Sequence, residues 1–394
     1  MEKIKLNLLH IISDEKFPDY AYRQFEAAGI SNDTYILPNS KQDVRFVKEI
    51  RPNIVSKFSF LNKKFIRSLE DYDAIVLHSM TGFSIEVLKR ADDNIIFVWI
   101  GMGFDYYDLL YKNKSEFLEP NTRRIVKDGN SINKKNKIKS GFKNSIRRIV
   151  YSNLKNKKEV IKKVSIFSPV LYSEFKAVKN SLDHFPAEYV KWNYGSQSDL
   201  FDNNESIGYV KGKNILVGNS ASPNNNHIEV FHLLDKLGLP KDINIVVPLS
   251  YGDSSYRNKI IKEGETIFGN RFKPITEFLD FKTYVEVLIS CPIVIMNHKR
   301  QQGAGNIGIA LFLGAKIFMH PESMLLKEHM ENGLTVFNIH SLEDELAVSF
   351  EGLDKLRAEA NREYLRNEKG FYSHVENTKV LISRISQLSK VKSQ

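Results

Sequence analysis

The chain has 394 residues, of which 42% are hydrophobic and 26% carry a charge, values typical of a globular protein. One hydrophobic core rarely serves a chain of this length, so two domains are expected. A single cysteine, Cys291, excludes an intrachain disulfide and favours a reducing compartment. We expect neither a signal peptide nor a membrane-spanning helix, because acids and amides interrupt the N-terminal apolar residues and no apolar run reaches about 18 residues.

The net charge of +10 comes from one segment, residues 123–163, which contains fifteen Lys or Arg and two acids. Its apolar residues recur at intervals of three to five: Ile138, Phe142, Ile146, Ile149 and Leu154. This pattern favours an amphipathic helix at an anionic membrane surface. A solvated basic helix or a disordered loop would carry the same charge. Nucleic-acid binding is not expected, because no RNA-binding motif accompanies the segment.

The first 100 residues alternate between short apolar runs and helical patterns. Strands are predicted at Ile4–Ile12, Thr34–Leu37, Ile54–Phe58, Ala74–His78 and Ile95–Ile100, and a further strand at Val164–Phe167. Helices are predicted between them at Tyr20–Ala28, Val44–Ile50, Lys63–Leu69 and Ile85–Ala91. Such alternation predicts a parallel sheet with helices on both faces.

Polar loops follow three of these strands, and ligands of a doubly wound sheet bind at the carboxyl ends of its strands. The loops are His10–Asp14, His78–Thr81 and Trp99–Asp105. Asp105 and His78 are candidates for a catalytic base. His10, Asp14 and Gly103 are candidates for contacts with an acceptor. An aspartate before an apolar turn is also a common helix N-cap, which is the alternative for Asp105.

A second strand–helix series follows the polar stretch Gly195–Gly212, which is the expected linker between domains. Strands are predicted at Asn214–Val217, Ile243–Val247, Phe272–Phe278, Ile293–Met296 and Leu334–Ile339. The chain therefore predicts two doubly wound, Rossmann-like domains in tandem, facing each other across a cleft.

The stretch Cys291–His320 reads as strand, polar loop, helix and strand. Free N–H groups and the positive end of a helix dipole favour a phosphate at such a loop, and glycines allow close backbone approach. The candidate phosphate-binding residues are Arg300, Gln301, Gln302, Gly303, Gly305 and Asn306. The loop is neither a P-loop nor a GxGxxG motif, and an ordinary strand–helix turn would give a similar pattern.

The motifs VGNS (217–220), VVP (246–248) and RQQG (300–303), with the aromatic loop after Trp99, make the chain resemble glycosyltransferase family 56, the 4-alpha-L-fucosyltransferase family. Its known members transfer 4-acetamido-4,6-dideoxygalactose from a TDP-sugar to a lipid-linked disaccharide of enterobacterial common antigen. The resemblance implies a GT-B fold and a TDP-sugar donor in the second domain. It also implies an undecaprenyl-pyrophosphate-linked acceptor, a role in surface polysaccharide biosynthesis, and peripheral attachment to the cytoplasmic face of the bacterial inner membrane.

On this reading, residues 1–195 form an acceptor-binding domain that includes the basic segment, residues 213–370 bind the nucleotide sugar, and residues 371–394 form a C-terminal helix. The residues expected to contact the donor, besides those of the RQQG loop, are Gly218, Asn219, Ser220, Pro248, Tyr251 and Glu322. For Glu322 the alternative is a glutamate that only favours a helix N-terminus.

No DxD pair follows a short apolar strand, so neither a metal ion nor a cofactor is expected. Arg300, the backbone amides of residues 301–305 and the helix dipole would then neutralise the leaving diphosphate. Two other functions remain open at this point. One is a soluble nucleotide-sugar enzyme such as an epimerase, and the other is a membrane- or nucleic-acid-binding protein without catalysis.

Overall fold

The computed structural model describes residues 6–30, 33–38, 47–132, 157–203 and 207–392. The predicted apolar stripe from Ile138 to Leu154 lies outside these residues. The described residues form two compact units, each built around its own sheet. Among them, no helix is both long enough and apolar enough to cross a membrane.

The first unit takes its described residues from Met1–Lys112, Gly141–Ser196 and Phe371–Gln394. Its sheet has seven parallel strands in the order β3-β2-β1-β4-β5-β6-β7. They are β1 (Leu8–Ile12), β2 (Thr34–Pro38), β3 (Asn53–Val55), β4 (Ala74–His78), β5 (Phe97–Ile100), β6 (Val164–Ser168) and β7 (Glu188–Tyr189). All residues of the central strands β1, β4 and β5 are buried, because helices cover both faces of a parallel sheet.

The helices of this unit include its last element, which returns from the far end of the chain. They are α1 (Pro18–Ala27), α2 (Lys63–Arg67), α3 (Gly82–Arg90), α4 (Tyr107–Leu110), α6 (Lys157–Val160), α7 (Tyr172–Asn180) and α16 (Phe371–Lys392). Helix α16 packs against α1, and its Leu381 and Ile385 join Phe25 and Trp192 in the core. The indole of Trp192 donates to the hydroxyl of Thr378 on α16 at 2.9 Å. The predicted C-terminal helix is therefore an integral part of the first unit.

The second unit takes its described residues from Asn113–Ser140 and Gln197–Gly370. Its six parallel strands follow the order β10-β9-β8-β11-β12-β13. They are β8 (Ile215–Val217), β9 (Ile245–Pro248), β10 (Phe272–Ile275), β11 (Ile293–Met296), β12 (Lys316–Met319) and β13 (Phe337–Asn338). The helices are α5 (Pro120–Ile132), α8 (Ser198–Asn203), α9 (His227–Lys236), α10 (Ser254–Phe268), α11 (Phe281–Ile289), α12 (Ala304–Phe312), α13 (Met324–Glu331), α14 (Leu342–Val348) and α15 (Lys355–Lys369).

Both sheets share one strand order. Counted from its first strand, each begins 3-2-1-4-5-6, which is the doubly wound order of nucleotide-binding folds. The winding direction reverses between β1 and β4 in the first sheet and between β8 and β11 in the second. Ligands of such sheets bind in the crevice at this switch point. The α/β doubly wound prediction is confirmed in both units.

Helix α5 contains the first residues of the basic segment, and it packs against α9 and α10 of the second unit. The carboxylate of Glu229 on α9 holds the start of α5. It accepts hydrogen bonds from the backbone of Asn121 at 2.7 Å and from the hydroxyl of Thr122 at 2.6 Å. The described residues 123–132 therefore lie with the second unit, whereas the sequence pattern predicted them in the first domain.

Several element boundaries differ from the prediction at sheet edges and in the linker. The strand predicted at Ile54–Phe58 ends at Val55 and continues as a 3₁₀ turn, Ser59–Leu61. Of Leu334–Ile339, only β13 pairs with the sheet. The predicted linker contains α8, whose Phe201 packs at a tilt against Phe312 of α12 with ring centroids 5.2 Å apart. Edge strands have one partner, so the apolar pattern fixes their ends weakly.

Candidate functional site

The loop between β11 and α12 contains the predicted phosphate-binding residues and lies at the switch point of the second sheet. Gly303 precedes the helix with φ of 64°, in the left-handed region that favours glycine. A Cβ atom at this position would lie 3.1 Å from the Cγ atom of Asn219, so a side chain would also crowd the neighbouring loop. The nine-residue helix that follows presents its first-turn N–H groups at this end.

Side-chain amides join this loop to the loop after β8. The amide nitrogen of Gln302 donates to the side-chain oxygens of Asn219 at 3.2 Å and Asn225 at 3.0 Å. Asn219 in turn donates to the hydroxyl of Tyr251 at 3.1 Å, and Asn225 donates to the carbonyl of Ser220 at 2.9 Å. The structure therefore brings the VGNS and RQQG residues together in one network. Asn225 was not a predicted site residue, and it lies in the amide-rich run 224–226 directly before α9.

The remaining predicted donor residues also lie at the carboxyl end of the second sheet. Pro248 ends β9, and the following Tyr251 is 52% exposed. At Gly252, with φ of 121°, a Cβ atom would lie 2.6 Å from the carbonyl carbon of Ala221, so the loops after β8 and β9 meet backbone to backbone. The side chains of Arg300 and Asn306 are half-buried, Gln301 is buried, and a Cβ atom at Gly305 would lie 2.7 Å from the amide nitrogen of Gln197.

Two fully buried histidines lie beside these loops, His227 as the first residue of α9 and His298 after β11, and both are uncharged at neutral pH. His227 contacts the hydroxyl of Tyr256 through Nδ1 at 3.1 Å, and its Nε2 faces Gly218, where a Cβ atom would lie 2.6 Å away. Burial lowers the pKa of His227 to about 3. Burial, followed by the charge of Arg300, lowers the pKa of His298 to about 3. The positive charge at this loop therefore comes from Lys299, Arg300 and the helix terminus.

Glu322 belongs to a charged group at the carboxyl ends of β11 and β12. The ammonium of Lys299 lies 3.1 Å from the Glu322 carboxylate and 2.9 Å from that of Glu119. His320 also faces Glu119, at 3.4 Å. Helix α13 begins at Met324 with Ser323 as its N-cap, and the Glu322 side chain is 57% exposed. The exposed Glu322 carboxylate can accept hydrogen bonds from hydroxyl groups of a ligand, while its ion pair with Lys299 orients the carboxylate. Glu119 was missed because it is about 180 residues from Lys299 in sequence.

At the switch point of the first sheet, four buried polar side chains form a row. Nε2 of His10 lies 3.2 Å from the carboxylate of Asp33, and Nδ1 of His10 lies 2.9 Å from Nε2 of His78. Nδ1 of His78 lies 2.5 Å from the hydroxyl of Tyr194. His78 ends β4, and His10 is the middle residue of the neighbouring strand β1, so the two rings meet across adjacent strands. Asp33 and Tyr194 were not predicted.

The positions of the hydrogen atoms in this row follow from the carboxylate of Asp33 at one end of it. The Asp33 carboxylate beside Nε2 of His10 favours the tautomer that carries its hydrogen on Nε2, and Nδ1 of His10 then accepts from His78. His78 then accepts from Tyr194 at its own Nδ1. Burial, followed by the charge of His10, holds the pKa of His78 well below its usual value. His78 is therefore neutral, and a proton can reach it only through Tyr194 or His10.

Asp105 joins two loops of the first unit. Its carboxylate accepts hydrogen bonds from the backbone of Met80 at 2.6 Å, the indole of Trp99 at 2.8 Å and the backbone of Met102 at 2.8 Å. Burial raises its pKa, while these donors lower it in part. Helix α4 begins at Tyr107 with Tyr106 as its N-cap, so the alternative of an Asp105 cap is wrong.

The two other predicted residues of this rim lie in the same set of loops. Gly103 has φ of 81°, which favours glycine in the loop that Asp105 closes. Asp14 is exposed, and its carboxylate accepts from the backbone of Lys16 at 3.1 Å. Within the described ranges, no group of three or more His, Cys, Asp or Glu is placed to hold a metal ion.

Residues 171–352 match the family model described as 4-alpha-L-fucosyltransferase, glycosyl transferase group 56. The fold is similar to that of a glycosyltransferase from Rickettsia africae, with 13% identity, a TM-score of 0.64 and coverage of 97% of this chain and 99% of that one. Anabaena HepE, solved with UDP and glucose, is 12% identical with a TM-score of 0.55, covering 99% and 98%. TarM is 8% identical with a TM-score of 0.63, covering 97% and 100%.

Proposed function

We propose a sugar-transfer reaction for this chain, which is a glycosyltransferase with the GT-B fold whose residues 171–352 match glycosyl transferase group 56. The fold and family expected from the sequence are confirmed. The proposed donor is a TDP-linked deoxy-amino sugar such as 4-acetamido-4,6-dideoxygalactose. The proposed acceptor is a saccharide on undecaprenyl pyrophosphate, used in surface polysaccharide biosynthesis at the cytoplasmic face of the inner membrane. The family match supports these identities.

The amide network of the second unit is the observation on which donor binding rests. Gln302, Asn219 and Asn225 hold the loops after β8 and β11 together, and the N-terminus of α12 opens onto them. Donors fixed in advance around a developing diphosphate stabilise its charge without reorganisation. Arg300 supplies a permanent cation there. HepE, of similar fold, was solved with UDP, which supports a nucleotide-sugar donor for this chain.

Replacement of Arg300 by Ala tests donor binding. A hydrogen bond to a charged group contributes about 1.5–3 kcal/mol, so TDP affinity should fall by roughly tenfold or more. The measurement is calorimetric titration with TDP, and parallel titrations with UDP and GDP show which nucleobase the site prefers. Arg271→Ala is the matched control, since this half-buried arginine precedes β10 at the opposite ends of the strands and donates to the carbonyls of Leu239 and Pro240. Equal TDP affinity in both variants and the native chain would contradict the proposal.

For acceptor activation we favour the row that ends at Tyr194 over Asp105. The Asp105 carboxylate already accepts three hydrogen bonds, whereas the row links Tyr194, His78 and His10 by hydrogen bonds and places Asp33 3.2 Å from His10. As the acceptor hydroxyl gives its proton to Tyr194, the Tyr194 proton passes to His78, the His78 proton to His10, and the His10 proton to Asp33. Only Asp33 ends in a changed charge state. Tyr194→Phe keeps the ring and breaks the path, so a folded variant that transfers at full rate would exclude it.

The basic segment 123–163 is proposed to hold the enzyme at the anionic membrane surface. Its charge supports this role, because each Lys or Arg near an anionic leaflet contributes about 1 kcal/mol and the attraction weakens with salt. A soluble epimerase would turn over its nucleotide sugar without an acceptor. Release of TDP that depends on a lipid-linked acceptor would therefore separate the two reactions.

A further inference from the structure

A second basic surface lies in the described part of the first unit, between β3 and β4. In the Lys57–Arg67 surface two apolar side chains project into solvent, Phe58 at 47% and Leu61 at 58% exposure. Exposed cations surround them in sequence: Lys57, Lys63, Lys64 and Arg67. Residues 51–69 contain no acid. None of the four cations forms an ion pair with a residue that the structure describes.

The backbone of this surface is held firmly, so the exposure of its apolar groups is built into the fold. Phe60 is fully buried, with its ring centroid 5.8 Å from that of Phe83 on α3, and Phe65 packs on the same ring at 6.1 Å. The guanidinium of Arg90 lies 5.1 Å from the Phe60 ring centroid. Asn62 caps α2 by accepting from the backbone of Lys64 at 2.9 Å. Two aromatic anchors thus point inward while their neighbours point outward.

The Lys57–Arg67 surface begins at the edge of the first sheet where the carboxyl ends of its strands lie. β3 runs parallel to β1 and β4, so its last residue, Val55, lies at the same edge as Ile12 and His78, the last residues of β1 and β4. The Ser59–Leu61 turn follows directly and packs against α3, whose N-terminal residues follow the rim loop 78–81. The rim loop 101–106 carries another exposed aromatic residue, Phe104, at 59% exposure. A planar partner that meets the Lys57–Arg67 surface would therefore lie on the acceptor side of this unit.

The chemistry of the surface favours one kind of partner. Two projecting apolar side chains are too small an area for a stable protein interface, which needs roughly 800 Å² per partner. They match insertion just below lipid headgroups, and the four exposed cations match anionic headgroups around the inserted side chains. We propose that the Lys57–Arg67 surface binds anionic phospholipid and presents the first unit to a lipid-anchored acceptor. This inference rests on the proposed function only for the acceptor, since lipid binding itself is independent of catalysis.

Vesicle sedimentation tests the surface in the full-length protein. The probes are vesicles of phosphatidylglycerol with phosphatidylcholine, and vesicles of phosphatidylcholine alone. Phe58→Ser with Leu61→Ser, and separately the Gln replacement of Lys57, Lys63, Lys64 and Arg67, should each weaken partitioning onto the anionic vesicles by at least about tenfold. The matched apolar control is Val348→Ser with Leu356→Ser, which are 83% and 82% exposed on the second unit. Lys241, Lys273 and Lys282 replaced by Gln provide the charge control.

A further arm separates this surface from the basic segment 123–163. Lys134, Lys135, Lys137, Lys139, Lys143, Arg147 and Arg148 are replaced by Gln. Partial loss of binding in each set, and complete loss when the two are combined, supports two docking elements. If the segment variant alone abolishes binding and the Lys57–Arg67 variants bind as the native protein does, the inference is overturned. TDP titration of every variant reports the donor site separately, so failure of lipid binding is distinguishable from failure of the proposed reaction.

Insertion can also be observed directly with a fluorophore that shifts to the blue in an apolar environment. Leu61→Cys provides the attachment site, because the native Cys291 is buried and burial raises its pKa to about 12. The label should shift on anionic vesicles only, and a label at Leu356→Cys should not shift. A label at position 61 that stays unshifted while the protein sediments would show that the cations act without insertion, which contradicts the proposed mode. If an RNA, and not the vesicles, produces the shift, the lipid assignment is wrong.

Discussion

The carboxylate of Asp105 illustrates how a residue in a functional loop can serve the fold. We expect Asp105→Asn to lower the free energy of unfolding by about 1–3 kcal/mol. The asparagine side chain keeps one acceptor oxygen, but its NH₂ group replaces the other oxygen. At least one of the three N–H donors that bound the carboxylate then faces another donor. Urea unfolding followed by tryptophan emission measures this, because Trp99 and Trp192, the two tryptophans of the chain, both lie in the first unit.

Asp14→Asn is the control for Asp105, since Asp14 is exposed and accepts a single hydrogen bond from the Lys16 backbone. Its stability should stay within about 0.5 kcal/mol of the native chain. If Asp105→Asn has native-like stability but loses most of its transfer activity, Asp105 would be identified as the catalytic base.

The buried histidines of the second unit make its stability depend on pH. In the unfolded chain His227 and His298 titrate near 6.5, whereas burial lowers their pKa in the fold to about 3. Their contribution is complete above about pH 6.5 and is lost as the pH falls toward 3. The slope is about 1.4 kcal/mol per pH unit for each histidine, or roughly 2 kcal/mol each at pH 5.

Urea unfolding followed by circular dichroism between pH 7.5 and 5 measures this loss. His227→Gln should reduce the slope by about one proton. The exposed His184 of the first unit is the control, and His184→Gln should leave the slope unchanged. Equal slopes for the two variants would mean that His227 is protonated in the folded protein.

Among individual residues, the sequence identified those whose role depends on their immediate neighbours in the chain. Gly303 and the VGNS amides were predicted because a loop between a strand and a helix has known requirements for glycine and for hydrogen-bond donors. Asp33, Tyr194 and Glu119 were missed, because each reaches its partner through the fold and not through nearby sequence. Spacing in the chain carries no signal for such pairs.

Whether alanine in place of a helical glycine stabilises the protein depends on how closely neighbouring side chains pack against the helix at that position. Gly264 lies inside α10, where alanine normally stabilises a helix by about 1 kcal/mol. Here a Cβ atom would lie 2.2 Å from the ring of the buried Phe272. We expect Gly264→Ala to destabilise the protein by about 1–3 kcal/mol, as measured by thermal unfolding.

Gly308 in α12 is the matched helical control, because the nearest atom to its Cβ position is 3.5 Å away on Phe201. Gly308→Ala should raise the stability by up to about 1 kcal/mol. Stabilisation by both substitutions would show that the Phe272 ring moves aside at little cost.

The central strands were predictable at this scale because each is an apolar run buried on both faces. Ala74–His78 and Ile293–Met296 were placed at their observed bounds. The edge strands β3, β7 and β13 are shorter or were missed. They pair with one neighbour and stay half-exposed, so composition distinguishes them weakly from loops.

For the whole molecule, the sequence predicted two doubly wound sheets but not which distant segments complete them. Helix α16 was expected as a separate C-terminal element, and it packs into the core of the first unit. Residues 113–132 were expected in the first unit, and those described lie with the second. An amphipathic pattern shows that a helix has a core-facing side, but it does not identify the core.

The two faces of α16 provide a test of this assignment. Ile385 is fully buried against the first unit, whereas Val380 on the same helix is 60% exposed. Ile385→Ala should cost about 2–5 kcal/mol, and the tryptophan emission should report the loss because it follows the first unit. Val380→Ala should change the stability by no more than about 0.5 kcal/mol. Equal effects would mean that α16 is not a core element.

The return of α16 has a consequence for biosynthesis. Its first residue, Phe371, is synthesised 363 residues after Leu8 of β1. At roughly 5–20 residues per second this interval lasts about 20–70 s. Throughout it, the apolar surface of α1 that α16 will cover is exposed on the nascent chain, and all residues of the second unit are synthesised before α16 begins. Folding on the ribosome should therefore proceed in the reverse of sequence order, and a chaperone that binds exposed apolar segments should bind the earliest part of the chain longest.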